Sequence, residues 1–184
     1  YEGRPPQLCY TNAEVTAQVI KDGRDYFDGK VALHEVCSNI HHSFKHKVDV
    51  FPVFPLDVRS WCKCENCQAM LKKSSDLAQG QFSSEQSSNY IFNFVNKVAF
   101  ALQESHPGKM VGTAAYMDYS YPPDKVSLAE NIMVTLCLHT GLFYAEEVKK
   151  NEGAILKAWQ EKFPRLPKMI WTWYCFPYLT ARQQ

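Results

Sequence analysis

Tyr90, Ile91, Phe94, Val95, Val98, Ala101 and Leu102 recur at steps of three and four residues, the spacing that lines one face of an α-helix. His106, Pro107 and Gly108 follow at once and predict its end. The same spacing places Val148, Ile155, Trp159 and Phe163 on one side of a second helix over residues 144–163, closed by Pro164 and Pro167. Near the start, Val15, Val19, Tyr26 and Phe27 share a face, and Thr11 with Glu14 has capping-box spacing, so a helix is predicted there too. Residues 7–10, just before it, read as a short strand end.

Between the helices lie short apolar runs. VDVFPVFPLD (residues 48–57) reads as a strand despite Pro52 and Pro55, each of which removes a ladder donor. KMVGTAAYMDY (residues 109–119) is a second strand, ended by Pro122 and Pro123. NIMVTLCL (residues 131–138) is unbroken in its apolar character, which predicts burial on both faces. KMIWTWYCF (residues 168–176) closes the series. Residues 30–48 and the Ser/Gln-rich residues 70–88 show no period and read as connections. Strands alternating with helices predict an α/β protein with a mainly parallel sheet. The second and third strands are joined by only about fifteen residues without helical pattern, close to the minimum of about a dozen for a parallel crossover. A complete eight-fold barrel takes about 250 residues, more than the 184 in this chain. The pattern therefore predicts part of a (β/α)8 barrel, or else a small doubly wound sheet, as a single domain over residues 1–184 cut at both ends.

Composition narrows the partners. With 46% hydrophobic and 21% charged residues, the chain has the makings of one ordinary core. A formal net charge of +1 argues against a nucleic-acid partner. No apolar run reaches the roughly 18 residues of a membrane span.

The densest chemistry lies in DVRSWCKCENC (residues 57–67), where an acid, a tryptophan and Cys62, Cys64 and Cys67 fall together. A structural zinc site needs four ligands, and C-x-C-x-x-C supplies three. Cys9, Cys37, His41 or His42 are candidates for a fourth. The first reading is that the cysteines brace the loop without metal, as thiols or one disulfide. Structural zinc is the second, and redox chemistry the weakest, since no helix opening that would lower a thiol pKa is evident. No catalytic cofactor is called for.

WCKCENC together with FVN (residues 94–96), Val98-Ala99, Ala115-Tyr116 and Pro122-Pro123 resembles the bacterial domain of unknown function numbered 4838, which overlaps glycoside hydrolase family 163. QLCYTN (residues 7–12) and WTWYCFP (residues 171–177) also fit. The resemblance implies a partial TIM-type barrel of a secreted or periplasmic, glycan-degrading protein, the remaining strands coming from the rest of the parent chain. It implies endo-β-N-acetylglucosaminidase activity assisted by the substrate's own acetamido group. Leu56 departs from the pattern, standing where an amide is usual.

Within that frame Asp57 follows a strand, on the face where barrel enzymes place their chemistry, and glycoside cleavage needs carboxyl groups. It is the candidate catalytic residue, a loop-capping Asp being the alternative. Trp61, Tyr116, Trp173 and Tyr174 lie near predicted strand ends and are candidate platforms for sugar rings, with core filling as the alternative. Trp171 is expected in the core and Asn96 in a structural role. A weaker version of the strand-end argument applies to Asp118. His139 shows no partner. A non-catalytic carbohydrate-binding or scaffold barrel is the alternative to the enzyme.

Overall fold

The structure, a computed structural model, describes residues 7–32, 49–73 and 82–172. Four strands, β1 (Val50–Pro52), β2 (Met110–Ala115), β3 (Ile132–Leu138) and β4 (Lys168–Thr172), form one sheet in the order β1-β2-β3-β4. Every neighbouring pair is parallel, so the predicted α/β class with a parallel sheet holds. The helices are α1 (Ala13–Phe27), a single short turn α2 (Glu65–Gln68), α3 (Ser88–Ser105) and α4 (Glu146–Lys162).

Register decides which face is the core. Phe51, Val111 and Ile132 are aligned across three strands and all are buried. Phe51 meets Tyr26 and Phe27 of α1, and Phe92 of α3 meets Trp159 of α4 at 5.1 Å between ring centres. The helices thus share one side of the sheet. On β3, Ile132, Val134, Leu136 and Leu138 point into that core, while Met133, Thr135 and Cys137 alternate to the other side and stay half-buried. The predicted burial of this strand on both faces is corrected: it has one buried face and one half-open one. Trp171, aligned with Cys137, lies on the half-open face and is 56% exposed, so it does not fill the core.

Local signals account for most element ends. α1 starts one residue later than the capping-box reading implies. Asn12 is the cap, its Oδ1 accepting from the Glu14 and Val15 amides at 2.7 and 3.4 Å; an Asn side chain at this position satisfies donors the helix cannot. α3 ends at His106, and Gly108 turns the chain at φ 84°, a conformation glycine adopts without steric cost. β1 spans three residues and ends at Pro52, which has no amide to donate to the ladder. Residues 7–10 form no strand. Instead the Gln7 side chain bonds the loop after β1, donating to the Leu56 and Val58 carbonyls at 2.6 and 2.7 Å and accepting from the Leu56 amide at 3.1 Å.

The parallel connection from β2 to β3 carries no helix beyond the single 3-10 turn Met117–Tyr119. Asparagines tie the returning chain to its neighbours. Asn89 and Asn96 of α3 accept from the Lys125 and Ala129 amides at 3.0 and 2.7 Å, and Asn131 donates to the Ala99 carbonyl at 2.9 Å. The backbone of an extended return path is thereby satisfied by side chains where a helix would satisfy it internally. Asn96 has the structural role expected of it.

Candidate functional site

Parallel α/β sheets gather their chemistry at the carboxyl ends of the strands, and here three strands deliver side chains to one cluster. Asp57 comes from the loop after β1 and is exposed. Tyr116 directly follows β2, and His139 directly follows β3. Tyr116 lies near Asp57; burial, and then the negative charge of Asp57, pushes its ionisation up to about 12. The Tyr116 and His139 rings lie nearly parallel, 6.3 Å apart. Phe82 meets the edge of both, at 5.8 and 4.4 Å, and the Arg59 guanidinium lies 4.9 Å over Phe82 while donating to its carbonyl at 2.7 Å.

Backbone strain sits beside this cluster. Met117, immediately after Tyr116, is buried and holds a left-handed backbone at φ 47°, which costs a non-glycine residue roughly 1–3 kcal/mol. Its carbonyl is held by the Ser84 amide at 2.8 Å and by the Ser120 hydroxyl. That turn sends Tyr116 out of the strand and Asp118 back into the core.

Asp118 and Trp61 belong to the core. The Trp61 indole Nε1 donates to Asp118 Oδ2 at 2.6 Å. Its ring is only 5% exposed and meets Tyr90 and Tyr119 edge-on. The sugar-platform reading of Trp61 is therefore corrected: a ring this enclosed packs the interior and secures a buried carboxyl. Burial raises the Asp118 carboxyl above its ordinary value, and the indole donor works against that rise. Trp173 and Tyr174, the other proposed platforms, lie outside the described residues.

Sequence reasoning missed Glu152. It lies on α4, is 2% exposed, accepts from the Ser83 hydroxyl at 2.7 Å and from the His139 backbone amide at 3.2 Å, and so anchors the end of β3. Its place among surface-type residues of α4 concealed it. A cavity of about 180 Å³ opens beside it, lined by Phe82, His139, Leu142 and Val148. A second, of about 360 Å³, lies between Lys72, Glu85, Tyr121 and Asn151, away from Asp57.

The cysteines form a separate cluster. Cys62, Cys64 and Cys67 are joined by Cys9, from the segment entering α1, and their four sulfur atoms all lie within 4.8 Å of one another. All four are free thiols. Cys9 Sγ is 3.7 Å from Cys64 Sγ and 3.6 Å from Cys67 Sγ. The neighbouring Cys67 amide, and then its thiol, draw the Cys64 thiol down to about 6. The Thr11 hydroxyl lies 3.1 Å from the Cys67 sulfur, and Tyr90 donates to the same atom at 3.1 Å. Such a donor set can hold a metal ion.

The family description "Domain of unknown function (DUF4838)" matches residues 2–173. The chain belongs to this family. No curated protein and no solved structure matches it. For this DUF4838 domain, then, fold and site rest on its own residues. Among the described residues no helix is long and apolar enough to cross a membrane.

Proposed function

We propose that this DUF4838 domain is part of a glycoside-hydrolase-like barrel acting on amino-sugar-containing glycans, of the endo-β-N-acetylglucosaminidase type with substrate assistance. The observation that carries the reading is the Asp57–Tyr116 pair, set at the carboxyl ends of adjacent parallel strands. In a substrate-assisted cleavage the acetamido carbonyl attacks the anomeric carbon, and a carboxylate orients the acetamido N–H. Asp57 suits that role, being exposed and close enough to Tyr116 for its charge to act on that hydroxyl. A second carboxyl group must protonate the leaving oxygen. In the reading, the remaining strands of the barrel in the parent chain supply it. A secreted or periplasmic location would suit such a substrate.

One observation favours a second reading, a non-catalytic glycan-binding barrel. Two further acids near these strand ends, Asp118 and Glu152, are buried and committed to Trp61 and to Ser83 with His139. Assaying the full-length protein on N-glycans and chitooligosaccharides separates the two. The enzyme reading predicts cleavage that falls roughly 10²–10⁴-fold in Asp57→Asn while the Tm is unchanged. No cleavage by the folded wild type, with glycan binding that survives Asp57→Ala, establishes the binding module. Neither cleavage nor binding defeats both.

A further inference from the structure

Cys9 is separated by 58 residues from Cys67, yet their sulfurs are 3.6 Å apart. We propose that Cys9, Cys62, Cys64 and Cys67 bind one structural zinc ion, which clamps the segment entering α1 to the loop that follows β1.

The geometry favours an ion over either bracing mode expected of a bare loop. A tetrahedral site with Zn–S bonds of about 2.3 Å has sulfur–sulfur edges of about 3.8 Å. The 3.7 and 3.6 Å separations of Cys9 from Cys64 and Cys67 match such edges and are far longer than the roughly 2.05 Å of a disulfide. Four uncharged thiols have no reason to converge on one point, whereas a divalent cation rewards each thiolate that reaches it. Around them stand donors that stabilise thiolate sulfur. The Thr11 and Tyr90 hydroxyls both reach the Cys67 sulfur, each at 3.1 Å. Hydrogen bonds of this kind orient ligands and temper their charge. Cys67 is fully buried, and Cys64 is exposed and leaves an entry path.

An all-sulfur tetrahedral set selects zinc or iron. Zinc suits a clamp, because it has no redox change and its structural sites are closed by four protein ligands. Binding forms four Zn–S bonds, and every thiol that enters protonated releases its proton to solvent, with no change in oxidation state.

The clamp acts on the strand-end cluster from outside it. Gln7 already ties the same two segments together at Leu56 and Val58, the residues on either side of Asp57. The zinc fixes the far end of that loop, so Asp57 stands on a stretch pinned at both ends. This inference does not depend on the glycan reading.

The test is elemental analysis of the full-length protein, purified without added metal or chelator. About one zinc per chain is expected, together with a Tm fall of about 10 °C or more when a strong chelator removes it. Cys9→Ala should lose the zinc, whereas Cys137→Ala, outside the cluster, should keep it. Should Cys9→Ala fail to fold, cobalt exchanged into the wild type decides. Intense sulfur-to-metal charge transfer with a tetrahedral ligand-field spectrum supports the site, and a weak octahedral spectrum overturns it. Iron in place of zinc, disulfides among these four cysteines by mass spectrometry, no bound metal, or zinc fully retained in folded Cys9→Ala each overturns the proposal.

Discussion

Replacing Trp61 with Phe separates a core tryptophan from a sugar platform. The substitution removes the 2.6 Å bond from Nε1 to Asp118 Oδ2 and trims a ring that is 5% exposed. A hydrogen bond to an ionised group contributes about 1.5–3 kcal/mol, and the space left by the smaller ring adds about 1 kcal/mol at some 24 cal/mol per Å³. The expected loss at neutral pH is therefore about 2.5–4 kcal/mol, a Tm fall of roughly 5–16 °C for a chain of this size. The loss should depend on pH. Burial raises the folded carboxyl of Asp118, so this group favours folding most below its unfolded value of about 4. That contribution is lost as pH rises through the raised folded value. Without the indole donor the folded value rises further, which deepens the penalty on the neutral side only. At about pH 2.5, below even the ordinary carboxylate value, the carboxyl is neutral, its hydrogen bond is worth about 0.5–1.5 kcal/mol, and the defect should shrink to about 1.5–2.5 kcal/mol. Urea unfolding of wild type and Trp61→Phe at both pH values measures this. A defect below about 0.5 kcal/mol, or one that grows on acidification, refutes the assignment.

Gly23→Ala should destabilise even though alanine is the better helix former by about 1 kcal/mol. A Cβ there would lie 2.8 Å from Leu102 Cδ1 and 3.1 Å from Phe51 Cδ1, and overpacking costs about 1–3 kcal/mol. A higher Tm would show that α1 does not pack this closely. Asn96→Ala should cost about 1–3 kcal/mol by stripping the Ala129 amide of its acceptor. Faster amide exchange at Ala129 reports it, and unchanged exchange would count against the asparagine-tied crossover.

Long periodic segments were legible because burial of one helix face leaves its mark every three or four residues. Residues 90–102 fall inside α3, and residues 144–163 enclose α4. The parallel class followed from the alternation of elements. What stayed hidden depends on side chains meeting across the chain. Gln7 imitates a strand by bonding a loop 49 residues away. Cys9 was one of several possible fourth ligands, and only the packing of the segment entering α1 brings it to the other three; Cys37, His41 and His42 lie outside the described residues. Trp61 looked available because it sits between charged and polar neighbours, yet the left-handed turn at Met117 brings Asp118 inward to meet it. Asp57 and Tyr116 were each visible as strand-end residues; their pairing was not, because it needs the β1–β2 register.

The most direct measurement of the central claim is a crystal structure of the full-length protein with an N-acetylglucosamine disaccharide. The account predicts a sugar ring within hydrogen-bond reach of both Asp57 and Tyr116, its acetamido group turned toward the carboxylate. A disaccharide bound elsewhere, with the Asp57–Tyr116 pair left untouched, would contradict it.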